Sequence, residues 1–142
     1  MKLLLKTLCL AVAAGCLASA CAPQSPATDQ KSVAREYAIR FADSEMARFP
    51  EAWMLDHGTA PFFGYSQGVG CCAMLAVWRA TGDDKYYNYV EVWADSLVNE
   101  EGEILRYKRE TYNLDFINSG KVLLSLYAEN GKEKYRRAPA RK

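Results

Sequence analysis

The feature that most constrains this chain is an internal echo. Leu75, Trp78, Gly82, Lys85 and Tyr86 recur 49 residues later as Leu124, Tyr127, Gly131, Lys134 and Tyr135. Each copy reads as an apolar helix, a glycine stop, an acidic-Lys-Tyr start and then an amphipathic helix. Such a hairpin cannot bury its apolar helix alone, so repeated copies stack into a solenoid or close into an α/α toroid.

Hydropathic patterning supplies the elements around the echo. Gln67 to Ala80 and Phe116 to about Glu129 are apolar almost all round, as expected of helices buried on both sides. Asp83 to Asn99 sets Tyr86, Val90, Trp93 and Leu97 on one face, with Asp83 and Asp84 favourable at its start. Ser32 is placed to cap a helix running to about Phe49, with Val33, Tyr37 and Phe41 on its inward face and Pro50 as the stop. A loop rich in Gly, Pro and aromatics spans Trp53 to Gly64. A polar connection, Glu100 to Asn113, has room for a short strand around Ile104–Tyr107, and Lys132 begins a further helix. No segment makes a convincing strand pair. The expected class is all-α, with inner apolar and outer amphipathic helices.

A closed ring of six such hairpins needs on the order of 300 residues. Ser32 to Lys142 offers 111, a little over two repeats. The final Ala138-Pro139-Ala140-Arg141-Lys142 sets a proline where an outer helix should run on. Residues 32–142 therefore read as a fragment of a toroid domain, which the resemblance described below implies is its N-terminal part.

The first residues read as an export signal. Lys2 and Lys6 flank a stretch, Leu8 to Ala20, too short to cross a bilayer as a helix but of the right length for a signal-peptide core. It ends at Leu17-Ala18-Ser19-Ala20-Cys21, small residues before a Cys, and resembles a bacterial lipobox. Cleavage there leaves Cys21 as a lipidated N-terminus, with Cys16 as the alternative. Residues 1–21 are thus the expected lipoprotein signal peptide and 22–31 a tether. The expected location is the bacterial cell envelope, periplasm or outer membrane, with the lipid anchor as the only membrane contact.

Charge and cysteine chemistry exclude several classes. Without Lys2 and Lys6 the formal balance is 16 basic against 17 acidic residues. No nucleic-acid partner is implied, the short basic run at Arg136–Arg137 and Arg141–Lys142 aside. One histidine, His57, and no CxxC leave no metal motif. Adjacent Cys71 and Cys72 cannot normally meet disulfide geometry and read as small buried hydrophobes. There is no phosphate loop and no Ser/His/Asp spacing, so no cofactor is expected.

Chemistry is best placed at two equivalent loops. Tyr65-Ser66-Gln67 precedes the first inner helix and Asn113-Leu114-Asp115 the second, with Ser66 matching Asp115 at the same offset. In a toroid both open at one end of the ring, around one cavity. Asp115 is the sharpest residue, either as a plain helix cap or as a carboxylate aimed into that cavity. A helix N-terminus favours its charged form, which suits a base, an anchor or a charge stabiliser better than a proton donor. Trp53, Phe62, Phe63 and Tyr65 are candidate stacking surfaces for sugar rings as well as candidate core. Gln67 and Asn113 are candidate hydroxyl binders.

Gly82-Asp83-Asp84-Lys85-Tyr86, the segment Tyr112-Asn113-Leu114-Asp115-Phe116-Ile117-Asn118-Ser119-Gly120-Lys121 and the second Gly131…Lys134-Tyr135 resemble the N-terminal part of unsaturated rhamnogalacturonyl hydrolases. These are glycosyl hydrolases of family 105, related to the unsaturated glucuronyl hydrolases of family 88. The resemblance implies an (α/α)6 barrel acting, in pectin degradation, on oligosaccharides that end in a 4,5-unsaturated uronic acid. It also implies a supporting catalytic role for Asp115, with Trp53, Tyr65, Gln67 and Asn113 facing substrate. The family's second aspartate, its general acid/base, stands in a Trp-containing motif that does not occur between Tyr135 and Lys142. The expectation is a chain inactive alone. A non-catalytic helical-repeat binding module of an exported lipoprotein, or another α/α-toroid enzyme, remains the alternative on the residues themselves.

Overall fold

The computed structural model describes residues 27–140. Cys16, Cys21, the signal peptide and residues 22–26 lie outside the described residues. The chain divides into a unit ending at Ser32 and a second unit, beginning at Val33, that holds the hairpins. Helix α1 is Ala27–Arg48, α2 Tyr65–Thr81, α3 Asp84–Leu97, α4 Ile117–Asn130 and α5 Glu133–Ala140. Three short 3-10 segments, Ala52–His57, Arg109–Thr111 and Leu114–Phe116, interrupt the connections. The described residues form no strand. The stretch around Ile104–Tyr107 contributes only an isolated bridge, Val98 to Ile104.

The echo in the sequence is an echo in space. Gly82 and Gly131 both adopt left-handed backbone, with φ of 73° and 70°, where a side chain is strained. Their amides bond back to the carbonyls of Trp78 and Tyr127 at 2.7 and 2.8 Å. Each turn is then sewn to the next helix. The Trp78 indole donates to Asp84 and the Tyr127 hydroxyl to Glu133, both at 3.1 Å.

The Lys-Tyr pair that follows each glycine clamps an aspartate on the preceding outer helix. Tyr86 donates to Asp43 of α1 at 2.8 Å and Lys85 pairs with it at 2.9 Å. One repeat later Tyr135 donates to Asp95 of α3 at 2.5 Å and Lys134 pairs with it at 2.8 Å. Hydrogen bonds from Lys85 and then Tyr86 hold the Asp43 carboxyl below the usual aspartate range. Burial pushes Asp95 up, but its hydrogen bonds with Lys134, Tyr135 and Lys132 outweigh that and its net shift is also downward.

Between the outer helices lies a single core. Cys71, Met74 and Leu75 of α2 meet Val122, Leu123 and Leu126 of α4, while Tyr86, Val90 and Trp93 of α3 and Tyr135 of α5 close it from outside. Full burial of one such aliphatic or aromatic side chain contributes about 1.5–3 kcal/mol. The inner helices approach closely at Gly68. A Cβ there would stand 2.5 Å from the Ser119 backbone nitrogen, so only glycine permits this approach.

Three expectations change. Helix α1 starts at Ala27, so Ser32 lies inside the helix instead of capping it. Its inward face is Ala42 with Ile39 and Met46, whereas Val33, Tyr37 and Phe41 are exposed. Both sets satisfy helical spacing, and the faces differ in which neighbour they reach. Finally, Asp115 does not cap α4. The cap-type bond belongs to Asn113, whose side chain accepts from the Asp115 amide at 3.0 Å and opens the Leu114–Phe116 turn; α4 follows at Ile117. Cys71 is buried and Cys72 half-buried, both free thiols, and burial raises the pKa of each.

Candidate active site

The starts of α2 and α4 are bound together by two kinds of contact. The buried Ser119 hydroxyl donates to the Gly64 carbonyl at 2.7 Å, tying the first turn of α4 to the residue before α2. Beside it, Phe116 packs against Phe62, Phe63 and Tyr107 at ring separations of 6.3, 6.1 and 5.3 Å. Phe63 in turn stacks on Trp93, with the planes 5° apart. Asp115 is therefore an exposed carboxylate whose next residue is anchored in an aromatic cluster. Anchoring of this kind holds the turn in place without covering its carboxylate.

Tyr65 is the first residue of α2 and is 57% exposed, a ring available to a ligand. Asn113 is exposed, with its side-chain oxygen engaged by the Asp115 amide. Trp53 is half-buried and packs on the core. Gln67 is buried, and its amide donates to the Leu55 carbonyl at 2.9 Å, which braces the Ala52–His57 segment against α2. Tyr65 thus opens the first inner helix and Asn113 and Asp115 lie just before the second, all three exposed, whereas Trp53 is half-buried against the core and Gln67 is a buried brace.

Two residues of this end escaped sequence reasoning. Asp56 accepts a 2.7 Å hydrogen bond from Ser66, the residue one repeat before Asp115, so a carboxylate sits at the start of each inner helix. Asp56 and His57 are consecutive left-handed residues, with φ of 58° and 57°, and Tyr112 is another at 48°. Strained backbone of this kind collects at functional sites. The signal was faint: Asp and His tolerate that conformation better than most residues, and Gly58 follows them. The His57 and Phe49 rings meet nearly at right angles, 82°, with 5.3 Å between centroids. Ser119, the hydroxyl that joins the two helix starts, carries no signal in spacing at all. Among the described residues, no group of three or more His, Cys, Asp or Glu is arranged to hold a metal ion.

Helical hairpins of this kind make an all-α fold similar to that of a neighbour of the α/α-barrel type. More particularly, the chain belongs to Glycosyl Hydrolase Family 88, whose sequence model matches residues 37–142. A solved structure, described as a glycoside hydrolase from family 105 of C. acetobutylicum ATCC 824, is 36% identical with a TM-score of 0.63. The similarity covers 72% of this chain and 26% of the other, so the chain spans about a quarter of that relative's length.

Proposed function

We propose that this chain belongs to a hydrolase of the unsaturated rhamnogalacturonyl or glucuronyl type, acting on oligosaccharides that polysaccharide lyases leave behind in pectin degradation. The observation that carries the reading is Asp115, exposed on an anchored turn just before the second inner helix, as Tyr65 is exposed at the start of the first. The substrate end is a 4,5-unsaturated uronic acid, a vinyl ether. Protonation at C4 leaves positive charge at C5 and the ring oxygen, water adds at C5, and the hemiketal opens to release the uronate. A carboxylate near C5 stabilises that charge and orients the water, which is the part assigned to Asp115. Tyr65 stacks on a sugar ring and Asn113 binds a hydroxyl. Asp115, open to water, is not assigned the part of proton donor, and neither is any other residue of this sequence. The chain by itself is expected to be inert.

The test grafts residues 37–142 in place of the matching quarter of the C. acetobutylicum relative and adds an unsaturated rhamnogalacturonan disaccharide. Loss of the ultraviolet absorbance of the double bond, abolished by Asp115→Asn, is the expected result. An unchanged absorbance with that substrate and with unsaturated glucuronides overturns the reading. Retained sugar binding without turnover favours a binding module.

A further inference from the structure

Helix α5 stands to the connection after α3 as α3 stands to the connection after α1. Each carries a Lys-Tyr clamp onto the outer helix before it, and each lies beside the chain that follows that helix. In the first repeat Tyr89 of α3 bridges to this chain: it is 7% exposed, and its hydroxyl donates to the Phe49 carbonyl at 2.7 Å. At the same offset of 49 residues the second repeat has Ala138. Where Tyr89 places a ring, Ala138 borders an open cavity of about 430 Å³. That volume falls within the roughly 300–1,000 Å³ of ligand pockets. Two non-glycine residues in left-handed backbone, Arg106 at φ 58° and Tyr112 at φ 48°, bracket the stretch Tyr107 to Glu110 that lines it. Strain of this kind collects at ligand sites.

We propose that this cavity is a second sugar-binding site, which takes a neutral ring of an oligosaccharide. Ile104 and Tyr107 give it an apolar wall, against which the C–H face of a pyranose packs. Glu103, Arg109 and Glu110, all exposed, supply planar acceptors and donors for vicinal hydroxyls. One Glu103 oxygen accepts from Asn99 at 3.0 Å, and a carboxylate has capacity for further donors. Two carboxylates against one guanidinium disfavour a uronate, so the ring that fits is uncharged. Tyr107 also joins the cavity to the turn proposed as catalytic, since its ring meets that of Phe116, the residue after Asp115, at 5.3 Å. The sugar chemistry comes from the lining; the polymer class rests on the function proposed above.

The test titrates the full chain, by calorimetry, with a saturated rhamnogalacturonan tetrasaccharide, in which neutral and uronate rings alternate. Binding should weaken about tenfold or more in Ala138→Tyr, which restores the ring of the first repeat, and in Glu110→Ala, and should persist in Asp115→Asn. Tetragalacturonate, with uronate rings alone, should bind about tenfold more weakly than the mixed oligosaccharide. Four results overturn the proposal: no binding by the natural chain, binding indifferent to Ala138→Tyr and Glu110→Ala, binding lost in Asp115→Asn, or equal affinity for tetragalacturonate. Helical circular dichroism should be unchanged in both cavity variants. Should Ala138→Tyr unfold, Glu110→Ala decides, because that side chain is exposed. The grafted enzyme separates this site from the reading it rests on. Cavity-dependent binding without turnover keeps the site and overturns the hydrolase; turnover with binding indifferent to the cavity variants does the reverse.

Discussion

Single residues decide how the two inner helices meet and what they present. Gly68→Ala places a methyl group against backbone atoms of Ser119 and Asn118, which have no flexible end to move. It should destabilise the fold by about 1–3 kcal/mol in urea denaturation. Gln67→Ala leaves the Leu55 carbonyl without its buried partner, with an expected loss of about 1–3 kcal/mol by the same measurement. At this scale the sequence is informative about Asp115, because Asn-Leu-Asp before an apolar helix marks a turn with a carboxylate on it. It is silent about which way Gln67 faces. A polar residue in the first turn of an inner helix looks the same whether it turns to the cavity or to the loop behind it, and only the position of Leu55 decides.

At the scale of elements, the clamp is the repeated device. A Lys-Tyr pair grips an aspartate one outer helix back, at Asp43 and again at Asp95. Asp95→Asn should cost about 1 kcal/mol, discounted for partial exposure of the carboxylate. Both aspartates have depressed folded-state pKa values relative to 3.8. Their contribution is therefore complete above the unfolded-state value and disappears as pH falls through the folded values. The urea midpoint should be steady from neutral pH downward and drop below about pH 4, less steeply in Asp95→Asn. Gly131→Ala should cost about 1 kcal/mol from backbone strain alone, since no atom lies within reach of the new methyl group. The inner helices and their glycine stops were readable because their pattern repeats. The buried face of α1 was not. Two stripes on it obey helical spacing, and the one holding Ala42, Ile39 and Met46 has the core beneath it.

At the scale of the molecule, the period of 49 residues is enough to state the stacked-hairpin plan, and membership of Glycosyl Hydrolase Family 88 agrees with it. What the period conceals is which flanks are covered, because burial belongs to pairs of helices and a sequence describes them one at a time. Leu75 and Leu124 are the same letter at the same register and lie on opposite sides of that distinction. Among the described residues, no helix is long and apolar enough to cross a membrane. Attachment through Cys21 is accordingly a separate proposal. Metabolic labelling with a radioactive fatty acid should mark the protein in a bacterial host, and Cys21→Ser should abolish the label. Label that survives Cys21→Ser and disappears in Cys16→Ser would move the cleavage site.

The close crossing at Gly68 and Ser119 also sets how the hairpins can shift. Backbones in contact leave no cushion of side chains to compress, so rocking about that point is the relative motion of α2 and α4 to expect. Asp115 stands four residues from the fulcrum, an arm of about 6 Å. A rock of about ten degrees along that arm carries the carboxylate about 1 Å, a displacement that can cost an enzyme about a hundredfold in rate. On the function proposed for Asp115, the glycine that fits the helices together would also be the bearing on which the accuracy of the site turns.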